Sequence, residues 1–165
     1  MLFQVRRIRR IEELMHFGCL IRKPEIPASY FRQGECYGFY VNYEMVAGYC
    51  ILRIPLDDMK IIQQIPAKEV GHLYHEDPFK YAEVTGHFIK DNRITSRFYR
   101  HMAIKLLFHK ASFFVYSYPS SNMYAEAFYR TGNPLRLYSG DNNVEIISRI
   151  GIIKICLHKL FGKYL

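Results

Sequence analysis

Ser112 to Gly140 reads SFFVYSYPSSNMYAEAFYRTGNPLRLYSG, and this stretch decides the fold. Phe113–Tyr118 is apolar, aromatic and β-branched, the composition of a buried strand. Pro119-Ser120-Ser121 stops that strand, and a Ser or Asn at this point caps a following helix. The helix spans Met123–Arg130 and closes at Gly132, after which Leu135–Tyr138 reads as another strand. Asn122, Ala125 and Tyr129 stand at i, i+3 and i+7 and therefore share one helix face. Strand, capped helix, glycine and strand in quick succession is a statement of local fold, in which strands alternate with short helices.

Working outward, Tyr81–Lys90 (YAEVTGHFIK) reads as a strand with Glu83, Thr85 and His87 on one face and Val84 and Phe88 on the other. Three polar groups on so apolar a strand fit either an active-site face or an edge strand with a wet polar side. Gly86 in its interior hints at a bulge or a close backbone approach. Residues 91–110 form a helix whose buried stripe is Phe98, Met102, Leu106 and Leu107. Leu2–Ile8 reads as a strand, and Ile11, Leu14, Met15 and Cys19 mark an amphipathic helix over about residues 9–22, ended by Pro24 and Pro27. Ala28–Gln33 is a short second helix, and Tyr37–Tyr43 with Met45–Ile54 form a hairpin. The run Pro55–Pro78 carries little pattern beyond Ile61, Ile62 and Ile65. Its His72 and His75 lack a third ligand at a recognisable spacing and are taken as loop histidines, so no metal is expected. Val144–Leu165 is a closing strand and helix or, in the alternative, a basic amphipathic helix lying on a membrane; the former is preferred.

With 165 residues, half of them hydrophobic, the chain is expected to form one domain over residues 1–165 and is not disordered. A formal charge of +8 attracts anions of several kinds. Arg6, Arg7, Arg9 and Arg10 lack the aromatic companions of a nucleic-acid site and read as a solvated basic edge. Cys19, Cys36, Cys50 and Cys156 show no C-x-x-C spacing, so they are expected to be reduced core residues in a cytoplasmic protein. No secretory leader or membrane-spanning run is read; Ile150–Leu157 is short and broken by Lys154.

These residues resemble the general N-acetyltransferase (GNAT) superfamily. Its helix motif, approximately N-x-x-A-x-x-x-Y followed by glycine, matches Asn122, Ala125 and Tyr129, with Gly132 one residue early and Asn133 in place of the usual Phe. Gly38–Tyr49 is similar to the second and third strands of that fold. The helix start after the central strand normally carries R/Q-x-x-G-x-G/A, whose backbone N–H groups hold a pyrophosphate. Arg93 matches, while Ser96 and Phe98 replace the glycines. Acyl-homoserine-lactone synthases and N-acyl amino acid synthases lack those glycines too. Their E-[IV]-[ST]-R strand resembles Glu83-Val84-Thr85-Gly86, with Gly86 in place of Arg.

The resemblance implies an α/β (α+β) acyl-CoA N-acyltransferase fold, a central mixed sheet flanked by helices, acting on an amine acceptor. Its donor would be acyl-CoA or an acyl-phosphopantetheine on acyl carrier protein, approached past Arg93, Arg97, Arg100 and Lys105. Glu83 is the implied general base, its apolar neighbours raising its pKa, and His87 is the alternative. Tyr129 is the implied acid to the leaving thiolate, against the plain possibility of one core tyrosine among fourteen. Gly86, Phe88, Arg93, Ser96, Arg97 and Asn122 would line the donor, with backbone N–H groups near Gly86 and His87 facing the oxyanion. The alternatives are a GNAT-like domain that has lost catalysis and binds a partner, a basic nucleic-acid module, or a peripheral membrane protein.

Overall fold

A computed structural model describes residues 2–23, 25–75 and 77–161; Pro24 and the last four residues of the Val144–Leu165 segment, invoked in the sequence analysis, lie outside the described residues. In chain order the elements open with Phe3–Ile8 (β1), Ile11–Leu20 (α1), Ala28–Arg32 (α2), Glu35–Val41 (β2) and Glu44–Leu52 (β3). A segment of short 3₁₀ turns follows, with Ala67–Val70 (α3) among them. Tyr81–Ile89 (β4), Thr95–Leu107 (α4), Phe113–Pro119 (β5) and Met123–Arg130 (α5) come next. Leu135–Tyr138 (β6), Asn142–Ser148 (β7) and Arg149–Phe161 (α6) complete the set. The strands form one seven-stranded mixed sheet in the order β1-β2-β3-β4-β5-β7-β6. β4 is therefore an interior strand, and the wet edge strand weighed for it in the sequence is ruled out. Both of its faces are covered: Glu83 and Val84 are each 0% exposed.

By internal packing the chain divides into two compact units, one of residues up to Leu52 with Val84–Phe98, the other of Arg53–Glu83 with everything from Tyr99 onward. In the first, β2 and β3 pair with Val41 opposite Glu44, so Asn42 and Tyr43 alone make the turn. Both lie at positive φ, 48° and 71°. This is the mirror-image turn geometry whose twist suits a tight hairpin. One face of this hairpin takes Phe98, whose ring lies 5.1 Å from that of Phe39 and 5.5 Å from that of Tyr49. Phe17 of α1 meets Phe31 of α2 edge-on at 5.2 Å. α1 is rolled relative to the expected face: it buries Leu14, Phe17 and Gly18, whereas Ile11, Met15 and Cys19 are exposed. The large Phe17 ring claims the core side, and an aliphatic stripe cannot outbid the area it buries.

The expectation of four reduced cysteines is corrected by the same hairpin. Antiparallel register sets Cys36 opposite Cys50, and the two are joined as a disulfide across 14 residues of sequence. Cys19 and Cys156 are free.

In the second unit, the segment that the sequence left unread is ordered by its isoleucines. Ile61, Ile62 and Ile65 are buried beneath 3₁₀ turns at Leu56–Asp58 and Ile62–Gln64. His72 and His75 are exposed on the 3₁₀ turn Gly71–His75. Among the described residues no cluster of His, Cys, Asp and Glu could hold a metal ion. At the far end, Gly132 and Gly151 touch almost backbone to backbone. A Cβ on Gly151 would stand 2.5 Å from the Gly132 carbonyl oxygen, which is why neither position carries a side chain.

Candidate active site

β4 carries Glu83, Thr85 and His87, the polar residues that its sequence singled out. Glu83 is wholly buried, and its Oε2 accepts a hydrogen bond from the Ile61 backbone N–H at 3.3 Å. That bond ties the carboxylate to the isoleucine turns of its own unit. Thr85, on the same strand, is 5% exposed. Gly86 adopts φ +65°, the left-handed region, so the hinted irregularity is real. A Cβ here would also approach Phe17 Cζ to 2.8 Å, so glycine is required on two counts. Phe88 packs beside the same Phe17 ring at 6.0 Å. Gly86 and Phe88 are thus brought together by one aromatic of α1, with Phe88 half-buried.

His87 is half-buried, and burial alone pushes its imidazole down from 6.5 to about 4. It is neutral at pH 7, and a base that weak gives up proton-accepting power there. Glu83 is accordingly the better candidate of the two. His101 on α4 is likewise lowered to about 4, by burial and then by Lys105. Unfolded histidines take a proton near 6.5 and these folded ones do not. Stability should therefore be full above about pH 6.5 and fall between there and pH 4. The upper bound is about 3 kcal/mol per histidine, less where solvent reaches the ring. Urea denaturation at pH 7 and pH 4.5 measures it, and a His87→Gln protein should show a shallower fall. An identical fall would place the responsible proton elsewhere.

The three residues expected at the start of α4 separate. The 3₁₀ turn Asn92–Ile94 is capped by the Asp91 side chain, which accepts from Arg93 N at 3.0 Å. The Arg93 guanidinium returns to the same carboxylate, Nη2 to Oδ2 at 2.8 Å, and holds Asp91 below the ordinary aspartate range. Ser96 is exposed, and Arg97 lies over the Phe3 ring at 5.1 Å. Phe98, which stands where the resembled motif has a glycine, is fully buried in the first unit's core.

In the second unit, Asn122 caps α5, its Oδ1 accepting from Ala125 N at 3.1 Å. The bond uses a backbone N–H, so it accounts for the Asn at position 122 and not for the identity of the residue at 125. Ala125 and Tyr129 follow on the buried face, both 0% exposed. The Tyr129 ring stacks on Tyr116 at 3.5 Å between centroids, and its hydroxyl lies 3.9 Å from Met102 Sδ. Burial, chiefly, raises the Tyr129 hydroxyl well above 10, so it keeps its proton at neutral pH.

Beside this stack is a group that sequence reasoning missed. Glu145 of β7 is 3% exposed. Its Oε2 accepts from Tyr116 Oη at 2.8 Å. Its Oε1 accepts from Tyr118 Oη at 3.1 Å and from Arg136 Nε and Nη2 at 3.0 and 2.8 Å. Tyr118, Arg136 and Glu145, with Glu126, Arg130, Asn133 and Pro134, line a cleft of about 390 Å³. The available signal was a lone carboxylate inside the apolar run Val144–Ile147, opposite tyrosines spaced two apart in Tyr116-Ser117-Tyr118.

No protein-family model and no curated protein matches the chain. Solved structures do. FeeM, an N-acyl amino acid synthase from uncultured soil microbes, superposes with a TM-score of 0.73 at 11% identity, over 97% of this chain and 98% of its own. An N-acetyltransferase from Staphylococcus aureus Mu50 gives 0.58 at 10% identity over 91% and 99%. A Bacillus subtilis acetyltransferase in complex with CoA gives 0.57 at 12% identity over 89% and 99%. At such identities the likeness is one of architecture, and the chain has the fold of the GNAT acetyltransferases and of FeeM.

Proposed function

We propose that the chain is an N-acyltransferase that moves an acyl group from a phosphopantetheine thioester to an amine. The observation that carries this is the likeness to FeeM, which runs end to end in both chains. In the proposed reaction the neutral amine attacks the thioester carbonyl carbon, a C–N bond forms, and the C–S bond breaks. Glu83 takes the proton lost by nitrogen, directly or through water. Tyr129, which keeps its proton, donates a hydrogen bond to the departing thiolate, and the thiol finally takes up the released proton.

The donor we favour is acyl carrier protein rather than free CoA. A pyrophosphate needs open N–H groups and no nearby anion. At the start of α4 the Asp91 carboxylate already accepts one of those N–H groups and adds negative charge. The same departure also favours a second reading, a GNAT-like domain that binds a partner without catalysis. Native mass spectrometry with long-chain acyl-CoA and with acyl carrier protein, followed by an assay for N-acyl product on a panel of amines, separates the possibilities. Product from the carrier-bound donor is the expected result. A complex without product would establish the binding domain, and neither complex nor product would end the acyltransferase proposal.

A further inference from the structure

We propose that the outward face of α6 is a seat for an anionic membrane surface. α6 is apolar on two sides. Gly151, Ile152 and Ile155 are buried against its own unit, yet Ile150, Ile153 and Leu157 are 67, 39 and 50% exposed. Those three stand at i, i+3 and i+7 and make a continuous outward row. A helix apolar all round is ordinarily covered on all sides.

The charge of this segment says by what. Residues 149–165 contain Arg149, Lys154, Lys159 and Lys163 and no Asp or Glu. Exposed Lys154 and His158 flank the apolar row. A two-fold contact with a second copy would set this all-basic surface against itself, which costs free energy. An anionic lipid surface accepts both the cations and the apolar row. Arg149 Nη2 donates to the His109 and Ala111 carbonyl oxygens at 2.6 Å each, so the end of α4 adjoins the start of α6. There Phe108 is 81% exposed and Lys110 is exposed, the same pairing of an apolar and a basic side chain close to the start of α6. No helix among the described residues is long and apolar enough to cross a membrane, so α6 would lie in the interface rather than span it.

Sedimentation of the full chain with vesicles tests this directly. With phosphatidylcholine and phosphatidylglycerol in equal parts the protein should pellet. With phosphatidylcholine alone, or in high salt, it should stay in solution. Ile150→Glu combined with Leu157→Glu changes only exposed side chains and should weaken binding about tenfold or more. Lys154→Glu, a second variant independent of the apolar row, should weaken it about fivefold or more. Circular dichroism confirms that each variant is folded. Vesicle binding unchanged in both folded variants, or a parent protein that ignores anionic vesicles, would overturn the proposal. Binding of the α6 face to an acidic protein without any vesicle binding would overturn it in favour of a protein partner.

Discussion

A Glu83→Gln protein is expected to turn over about 10²–10⁴ times more slowly than the parent, the usual contribution of a positioned proton acceptor. Glutamine has nearly the same shape, and its carbonyl oxygen can accept the Ile61 N–H bond that Glu83 Oε2 accepts at 3.3 Å. It cannot take a proton from an attacking amine. The loss should fall on kcat, with donor binding and thermal stability close to parental. Tyr129→Phe should give a smaller loss. The hydroxyl there has only a long contact to Met102 Sδ, while the ring does the packing on Tyr116, and phenylalanine preserves the ring. The pair of variants is read by steady-state kinetics on whichever donor the titration identifies. Full activity in both would remove Glu83 and Tyr129 from the chemistry, even if the acyltransferase assignment stood.

A Glu145→Ala protein is expected to lose about 3 kcal/mol of stability. The carboxylate is the common acceptor for Tyr116, Tyr118 and Arg136; its removal strands the buried Tyr116 hydroxyl and leaves Tyr118, which lines the cleft, with Arg136 Nη2 at 3.5 Å. Unmade hydrogen bonds of buried groups are costly because water cannot replace the lost partner. Arg136 softens the loss, since its side chain is 46% exposed and water can rehydrate it. For that reason the expected value sits at the low end of what a fully buried ion pair costs when broken. Glu145→Gln keeps one acceptor and the side-chain volume, and should lose roughly half as much. Urea denaturation of the three proteins gives the ordering parent, Gln, Ala; equal midpoints would show that the cluster is not a stabilising one.

Local pattern was enough for the elements nearest the proposed chemistry. Met123–Arg130 and Leu135–Tyr138 have the boundaries their sequence predicts, because a proline stop, an Asn cap and a closing glycine are short-range devices. The irregularity at Gly86 was legible for a similar reason: a glycine inside an apolar strand signals backbone that side chains cannot adopt. The start of α4 was legible in composition but not in detail. Asp91 caps the turn Asn92–Ile94, a role that any Asp before a helix suggests, and the sequence did not show that it also pairs with the Arg93 guanidinium.

What the amino-acid sequence by itself determined, then, is the succession of strands and helices and the identity of Glu83, Asn122 and Tyr129 as residues of note. Those signals lie within one or two turns of chain, where hydrogen bonding and side-chain periodicity are local. Only the tertiary structure decided that Cys36 faces Cys50, that α1 turns Phe17 inward, that β4 is interior, and that Glu145 gathers Tyr116, Tyr118 and Arg136. Each depends on strand register or helix roll. Register is set by the sum of many buried contacts between segments far apart in the chain, and no short stretch of it carries that sum.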